Sequence, residues 1–238
     1  MSPAKTALLL DFDGVVVRSP RVDRYVSAAC TRLLADKARV KYRDAKRLND
    51  VMYPKYGHTS TVIERVYGVP CGVREFNDAV YGKYVDYGQV ARLLREPDLA
   101  RARQFEALIR AWTPDRVFVF SNAAEGWVAR VMELVGMQPL ARGNILTSDK
   151  LRALKPHAGA YAEAEFHVRL ACPDAEHVLF WDDQPKNIRA LEEHREHLSL
   201  SWTGLFSEDD FGPHFEKRDA LSLGRTASAL SSAPSTHP

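Results

Sequence analysis

Short apolar runs punctuate the chain, and polar residues cut each one off. Ala7–Phe12 is the first, Arg116–Phe120 (RVFVF) the second, Asn144–Thr147 a weaker third and His177–Trp181 (HVLFW) the fourth. Runs of four to six residues rich in β-branched and aromatic side chains predict buried strands. A fifth strand is expected near Leu198–Trp202. Between the runs, apolar residues recur three and four apart, the spacing of one helix face. Leu99, Ala102, Phe105, Leu108, Ile109 and Trp112 form one such stripe, with Pro97-Asp98 as its start signal. Trp127, Val128, Val131, Met132 and Val135 form a second, and Tyr161, Ala164 and Val168 a third, entered through Pro156. Strands alternating with helices predict an α/β, Rossmann-like fold, a parallel sheet wrapped by helices on both sides.

The spacing is uneven. About a hundred residues separate the first strand from the second, far more than one crossover connection needs. That interval is itself helical in pattern. Val22, Tyr25, Val26, Ala29, Cys30, Leu33 and Leu34 make one stripe; Ala45, Leu48, Val51 and Met52 make another, and further short helices are expected after Thr59 and Val73. The predicted organisation is therefore an α/β core of 1–17 and 96–222 with a helical insertion over 18–95. From 223 to 238 the chain turns to Ser, Ala, Thr and Pro, the composition of a disordered tail.

Composition narrows the function classes. The 33 basic and 31 acidic residues leave a formal net charge of +2, which gives no basis for a nucleic-acid polymer or a membrane surface as partner. Cys30, Cys71 and Cys172 are widely spaced and odd in number, which indicates neither a disulfide framework nor a zinc site. No apolar stretch approaches a membrane span, and TALLL is too short for a signal core, so a cytoplasmic location is expected.

The chemistry lies where the apolar runs stop. Asp11 and Asp13 interrupt the first run, Ser121-Asn122 ends the second and Asp182-Asp183 the fourth, while Lys155-Pro156 opens the helix before it. In open parallel sheets, ligands sit at the carboxyl ends of the strands, so these residues should share one edge. Carboxylates without histidine or cysteine suit a hard cation, Mg²⁺ ahead of zinc or copper. A lysine and a helix N-terminus suit a phosphate. On an extended strand, residues two apart point to the same side, so Asp11 and Asp13 can face one substrate. One can attack phosphorus and the other can exchange protons with the leaving group and water. Gly14 lets the chain turn sharply after the pair. Expected ligands are Mg²⁺ and a small phosphorylated metabolite.

DFDGVVV, VFVFSNA, LKPHAGAY and VLFWDDQPKNI resemble, in order, the four motifs of the haloacid dehalogenase-like (HAD) hydrolase superfamily. They span Asp11 to Ile188, nearly all of the expected folded chain. The interval after the first motif resembles that superfamily's helical cap of the first type. AKRLNDVMYPKYGHT, together with KPHAGAY and DDQPKNI, is similar to the pyrimidine 5′-nucleotidase-like branch. The resemblance implies Asp11 as nucleophile and magnesium ligand, and Asp13 as acid/base, offering the metal its backbone carbonyl. It implies Ser121 as a hydrogen-bond donor to phosphoryl oxygens with Asn122 beside it, and Lys155 as the group neutralising nucleophile and phosphate. Asp183 would be the principal fourth-motif ligand, with Asp182 beside it, direct or through water. Asn187 stands where many members carry a further acid, and Trp181 is bulkier than is usual there.

The implied activity is phosphomonoester hydrolysis through an aspartyl-phosphate, with a nucleoside 5′-monophosphate as one candidate substrate. A phosphomutase would keep every motif, and a regulatory protein on a retired phosphatase fold is the alternative from a different class. A dehalogenase has no leaving-group oxygen to protonate and no use for Asp13. His157 reads as a surface residue at a helix start, and Trp112 and Trp127 read as packing. Gly57-His58-Thr59 reads first as a Gly-containing helix connector, and second as a segment facing the core to select substrate.

Overall fold

In the computed structural model, residues 5–112, 116–138 and 140–206 are described. The proposed tail, 223–238, lies outside them, as does the stretch 207–222. Five strands form one parallel sheet: β1 (Thr6–Leu10), β2 (Val117–Phe120), β3 (Ile145–Leu146), β4 (His177–Trp181) and β5 (Ser201–Leu205), in the order β3-β2-β1-β4-β5. The first strand is central, which is why all five of its residues are buried.

Alternation along the strands splits the core into two faces. Leu8, Leu10, Val117, Val119, Leu179 and Trp181 belong to one apolar cluster; Ala7, Leu9, Phe118, Phe120, Val178 and Phe180 belong to the other. Helices α6 (Glu96–Ala111) and α7 (Glu125–Leu134) cover the first face. Helices α8 (Ala158–Ala171) and α9 (Pro185–His194) cover the second, where Phe180 sits among the rings of Phe120, Tyr161 and Trp202. The predicted two-sided wrapping holds.

The long interval after β1 is helical throughout. It holds α1 (Pro20–Ala38), α2 (Tyr42–Tyr56), α3 (Thr59–Tyr67), α4 (Val73–Ala79), a π-helical turn over Val80–Tyr84 and α5 (Tyr87–Leu93). Glycines in left-handed backbone close α2 and α3, at Gly57 (φ 75°) and Gly68 (φ 66°).

The second strand starts one residue later than expected, at Val117, and three others differ more from the sequence expectation. The first strand ends at Leu10, so Asp11 and Asp13 stand beyond it rather than on it. The third shrinks to two residues, because Asn144 closes a short 3₁₀ turn and Thr147 accepts two amides of the next turn. The fifth moves to 201–205 because the amides of Ser199 and Leu200 donate to the buried carboxylate of Glu165 on α8. Among the described residues no helix is long and apolar enough to cross a membrane.

Candidate active site

Three strand ends deliver the motif residues to one edge, each through one further main-chain bond. Asp11 N–H donates to Trp181 O (2.8 Å), Ser121 N–H to Leu146 O (2.9 Å) and Asp182 N–H to Leu205 O (3.1 Å). After Asp11 the chain folds on itself. Val17 N–H donates to Phe12 O and Gly14 N–H to Val17 O, with Gly14 at φ 93°. A Cβ at Gly14 would stand 2.3 Å from Asp183 Oδ2, so the first and fourth motifs close on each other only around a glycine.

Lys155 is the centre of the cluster. Its side chain is 1% exposed, and its ammonium donates to Asp182 Oδ2 (2.6 Å) and Phe120 O (2.7 Å) and lies 3.2 Å from Asp11 Oδ1. Burial alone would lower the lysine pKa; the charges of Asp11 and Asp182 outweigh it and raise it. Lys155 is therefore a fixed cation against the Asp11 carboxylate.

Asp182 accepts at both oxygens: Gln184 N–H (2.8 Å) and Asn187 Nδ2 (2.9 Å) at Oδ1, Lys155 and Asn187 Nδ2 (2.9 Å) at Oδ2. The sequence expectation had Asp182 beside the metal, direct or through water; its carboxylate belongs to the acidic cluster described below and also holds Lys155. Both of its oxygens hold protein donors, and it fixes the Lys155 ammonium. Asn187 fits that work, since an amide gives Asp182 two donors where a further carboxylate would repel it.

Asp183 is different. Oδ2 accepts from Gln184 Nε2 (3.0 Å), whereas Oδ1 is buried with no hydrogen-bond partner. Buried carboxylate oxygens without a donor are costly, and a cation removes the cost. Carboxylate oxygens of Asp11, Asp182 and Asp183 come within 4.8 Å of one another, so the residues fit a hard divalent cation, with Asp11 and Asp183 as the accessible ligands. The Asp13 carboxylate is not a member of this cluster.

Asp13 is held instead by Trp127, whose Nε1–H donates to Oδ1 (3.0 Å) and Oδ2 (3.2 Å). Burial pushes the Asp13 carboxyl up to about 6, against the pull of the indole bond. A carboxyl in that range can both give and take a proton near neutrality. Trp127 was expected to be packing alone. It is buried, at 2% exposure, yet it is also a site residue. A buried indole N–H must find an acceptor, and that was the one signal for it in the sequence. Burial also raises the Asp11 carboxyl, opposed by Lys155.

Ser121 is buried and its Oγ accepts from Ala123 N–H (3.2 Å), with the residue lining the cavity described below. The Asn122 amide is fully committed: Oδ1 accepts from Lys155 N–H (2.9 Å), and Nδ2 donates to Lys155 O (2.7 Å) and Gly57 O (3.3 Å). Asn122 thus fastens the lysine's main chain rather than offering its amide to a ligand.

The same bond brings in the α2–α3 connector. A Cβ on Gly57 would stand 2.4 Å from Lys155 O. His58 is buried, caps α3 by accepting Ser60 N–H at Nδ1, and meets Phe76 edge-on. Its pKa falls to about 4 through burial, so the ring is neutral. The connector therefore faces the motif edge, the less favoured of its two sequence readings. His157 is exposed, as expected.

Between this edge and the insertion lies a cavity of about 480 Å³. Asp11, Asp13, Asp183, Ser121 and Trp127 line its floor, and α1, α2, α4 and the π-turn line its roof. That volume suits a small organic ligand.

No family model matches the chain. Among solved structures it is similar to one described as "a predicted HAD-like family hydrolase from Porphyromonas gingivalis", with 14% sequence identity and a TM-score of 0.44, over 91% of this chain and 98% of that one.

Proposed function

We propose that the chain is a HAD-type, magnesium-dependent phosphatase that hydrolyses a small phosphomonoester through an aspartyl-phosphate. One observation carries the reading: a buried lysine clasped between two carboxylates, beside a third whose buried oxygen has no partner. Lys155 and Phe12 N–H both engage Asp11 Oδ1, which orients the carboxylate and leaves Oδ2 to attack phosphorus. The new O–P bond forms as the ester P–O bond breaks, and Asp13 gives its proton to the leaving oxygen. Water then attacks phosphorus, Asp13 takes its proton, and the Asp11 carboxylate is restored. Ser121 would donate to a phosphoryl oxygen. Magnesium, held by Asp11, Asp183 and the main-chain carbonyl of Asp13, would neutralise charge on the phosphoryl oxygens.

The helices over 18–95 would act as a cap that excludes water during transfer and reopens for release. Nucleoside 5′-monophosphates are the first substrates to try, since the cavity has room for a sugar and a base. The test is phosphate release from a panel of nucleotides and sugar phosphates, with Mg²⁺ or EDTA. Turnover should need the metal and fall about a thousandfold or more in Asp11→Asn. Equal turnover in that variant, or none from wild type on any ester, overturns the proposal.

A further inference from the structure

The roof of the cavity carries acceptors without partners. Asp23, on α1, lines it; its carboxyl makes no ion pair or hydrogen bond among the described residues, and burial, with Asp13 and Asp183, pushes it up to about 7. Asn49, on α2, also lines it, is 5% exposed, and has a buried amide oxygen with no partner. Asp50 beside it is tied to Lys46 (2.6 Å). Among the described lining residues the only cationic side chain is Lys186, which stands 5.0 Å over the Tyr53 ring at the entry of α9, on the motif side.

Once a cation and the phosphoryl group have taken up Asp11 and Asp183, the negative charge left uncompensated on the roof above pH 7 is that of Asp23. A carboxylate and an amide oxygen facing the remaining space call for donors and repel a second anion. We infer that the leaving group carries hydroxyl or amine donors that meet Asp23 and Asn49, and no second anionic group. The site thus takes monophosphates of polyols or nucleosides and rejects bisphosphates, diphosphates and phosphorylated acids. This rests on the phosphomonoester reading above and narrows it.

Two matched pairs test the charge rule: glucose 6-phosphate against 6-phosphogluconate, and uridine 5′-monophosphate against orotidine 5′-monophosphate. Each is measured by kcat/KM and, independently, by calorimetric binding to Asp11→Asn with Mg²⁺ present. The uncharged member should win in both readouts, and Asp23→Asn should narrow the ratio about tenfold, the effect of one nearby charge at an intermediate dielectric. Glycerol 1-phosphate should likewise bind more tightly than propyl phosphate, which lacks the donors. Equal handling within the pairs, or a ratio that Asp23→Asn leaves unchanged, overturns the inference even where esters are hydrolysed. Discrimination in binding without any turnover keeps the inference and removes the hydrolase reading.

Discussion

The indole of Trp127 fills the core beneath α7 while its Nε1–H holds both oxygens of Asp13. Trp127→Phe keeps an aromatic ring and deletes the donor. A hydrogen bond to an ionised carboxylate favours that form, so deleting it raises the Asp13 pKa above its present value of about 6. The limb of the kcat/KM profile set by Asp13 should move to higher pH by up to about one unit. A profile that keeps its position while the rate falls would reduce Trp127 to packing. The gathering of the motif residues at the sheet edge was legible in the sequence: Asp11, Asp13, Ser121 and Asp183 line one cavity, and Lys155 lies against Asp11. The protein partners of Asp182 and Asn122 were not legible there. Both hold protein neighbours, and spacing cannot show where an amide or a carboxylate points.

At the scale of elements, strands and helices followed from apolar periodicity, and the misplaced boundaries share one cause. Main-chain amides that periodicity assigns to the ladder go elsewhere when a side chain competes for them, as Glu165 does for Ser199 and Leu200. The α2–α3 connector is the element-level feature that matters most for the site. Gly57 and Gly68 both sit in left-handed backbone, but only Gly57 presses on another segment; nothing lies within 4 Å of a Cβ at Gly68. Gly68→Ala should cost about 1–2 kcal/mol, the left-handed penalty alone. Gly57→Ala must in addition displace Lys155 O, so it should cost more and lower phosphate release as well. Urea unfolding of both variants, with rates beside it, checks this. Equal losses, with activity intact in both, would mean the connector does not position Lys155.

For the molecule as a whole, the insertion is tied to the core by a few polar bonds between distant segments. Asn77 on α4 donates to Ser148 Oγ (2.8 Å) and Asp149 Oδ1 (3.1 Å), and Asn122 reaches Gly57. That helices fill the interval between β1 and β2 was legible from its length and apolar spacing. Its seating was not, because these bonds join residues far apart in sequence and leave no periodic trace. A metal that binds the folded chain alone stabilises all of it. Saturation at a hundred times Kd adds about 2.7 kcal/mol. Thermal unfolding of wild type should therefore shift upward with Mg²⁺, and Asp183→Asn should lose most of the shift while still folding. An undiminished shift in that variant would place the metal elsewhere.

The central claim is covalent transfer to Asp11, and trapping the transferred group tests it most directly. With p-nitrophenyl phosphate the leaving group needs no proton, so Asp13→Asn should pass the first step and stall at the second, which needs a base. Acid-quenched Asp13→Asn incubated with this ester and Mg²⁺ should carry one phosphoryl group, mapped by mass spectrometry to the peptide holding Asp11 and absent when Asp11 is also changed to Asn. Release of p-nitrophenol by wild type with no phosphoryl group on that peptide in the stalled variant, or with one on a different residue, would contradict the account.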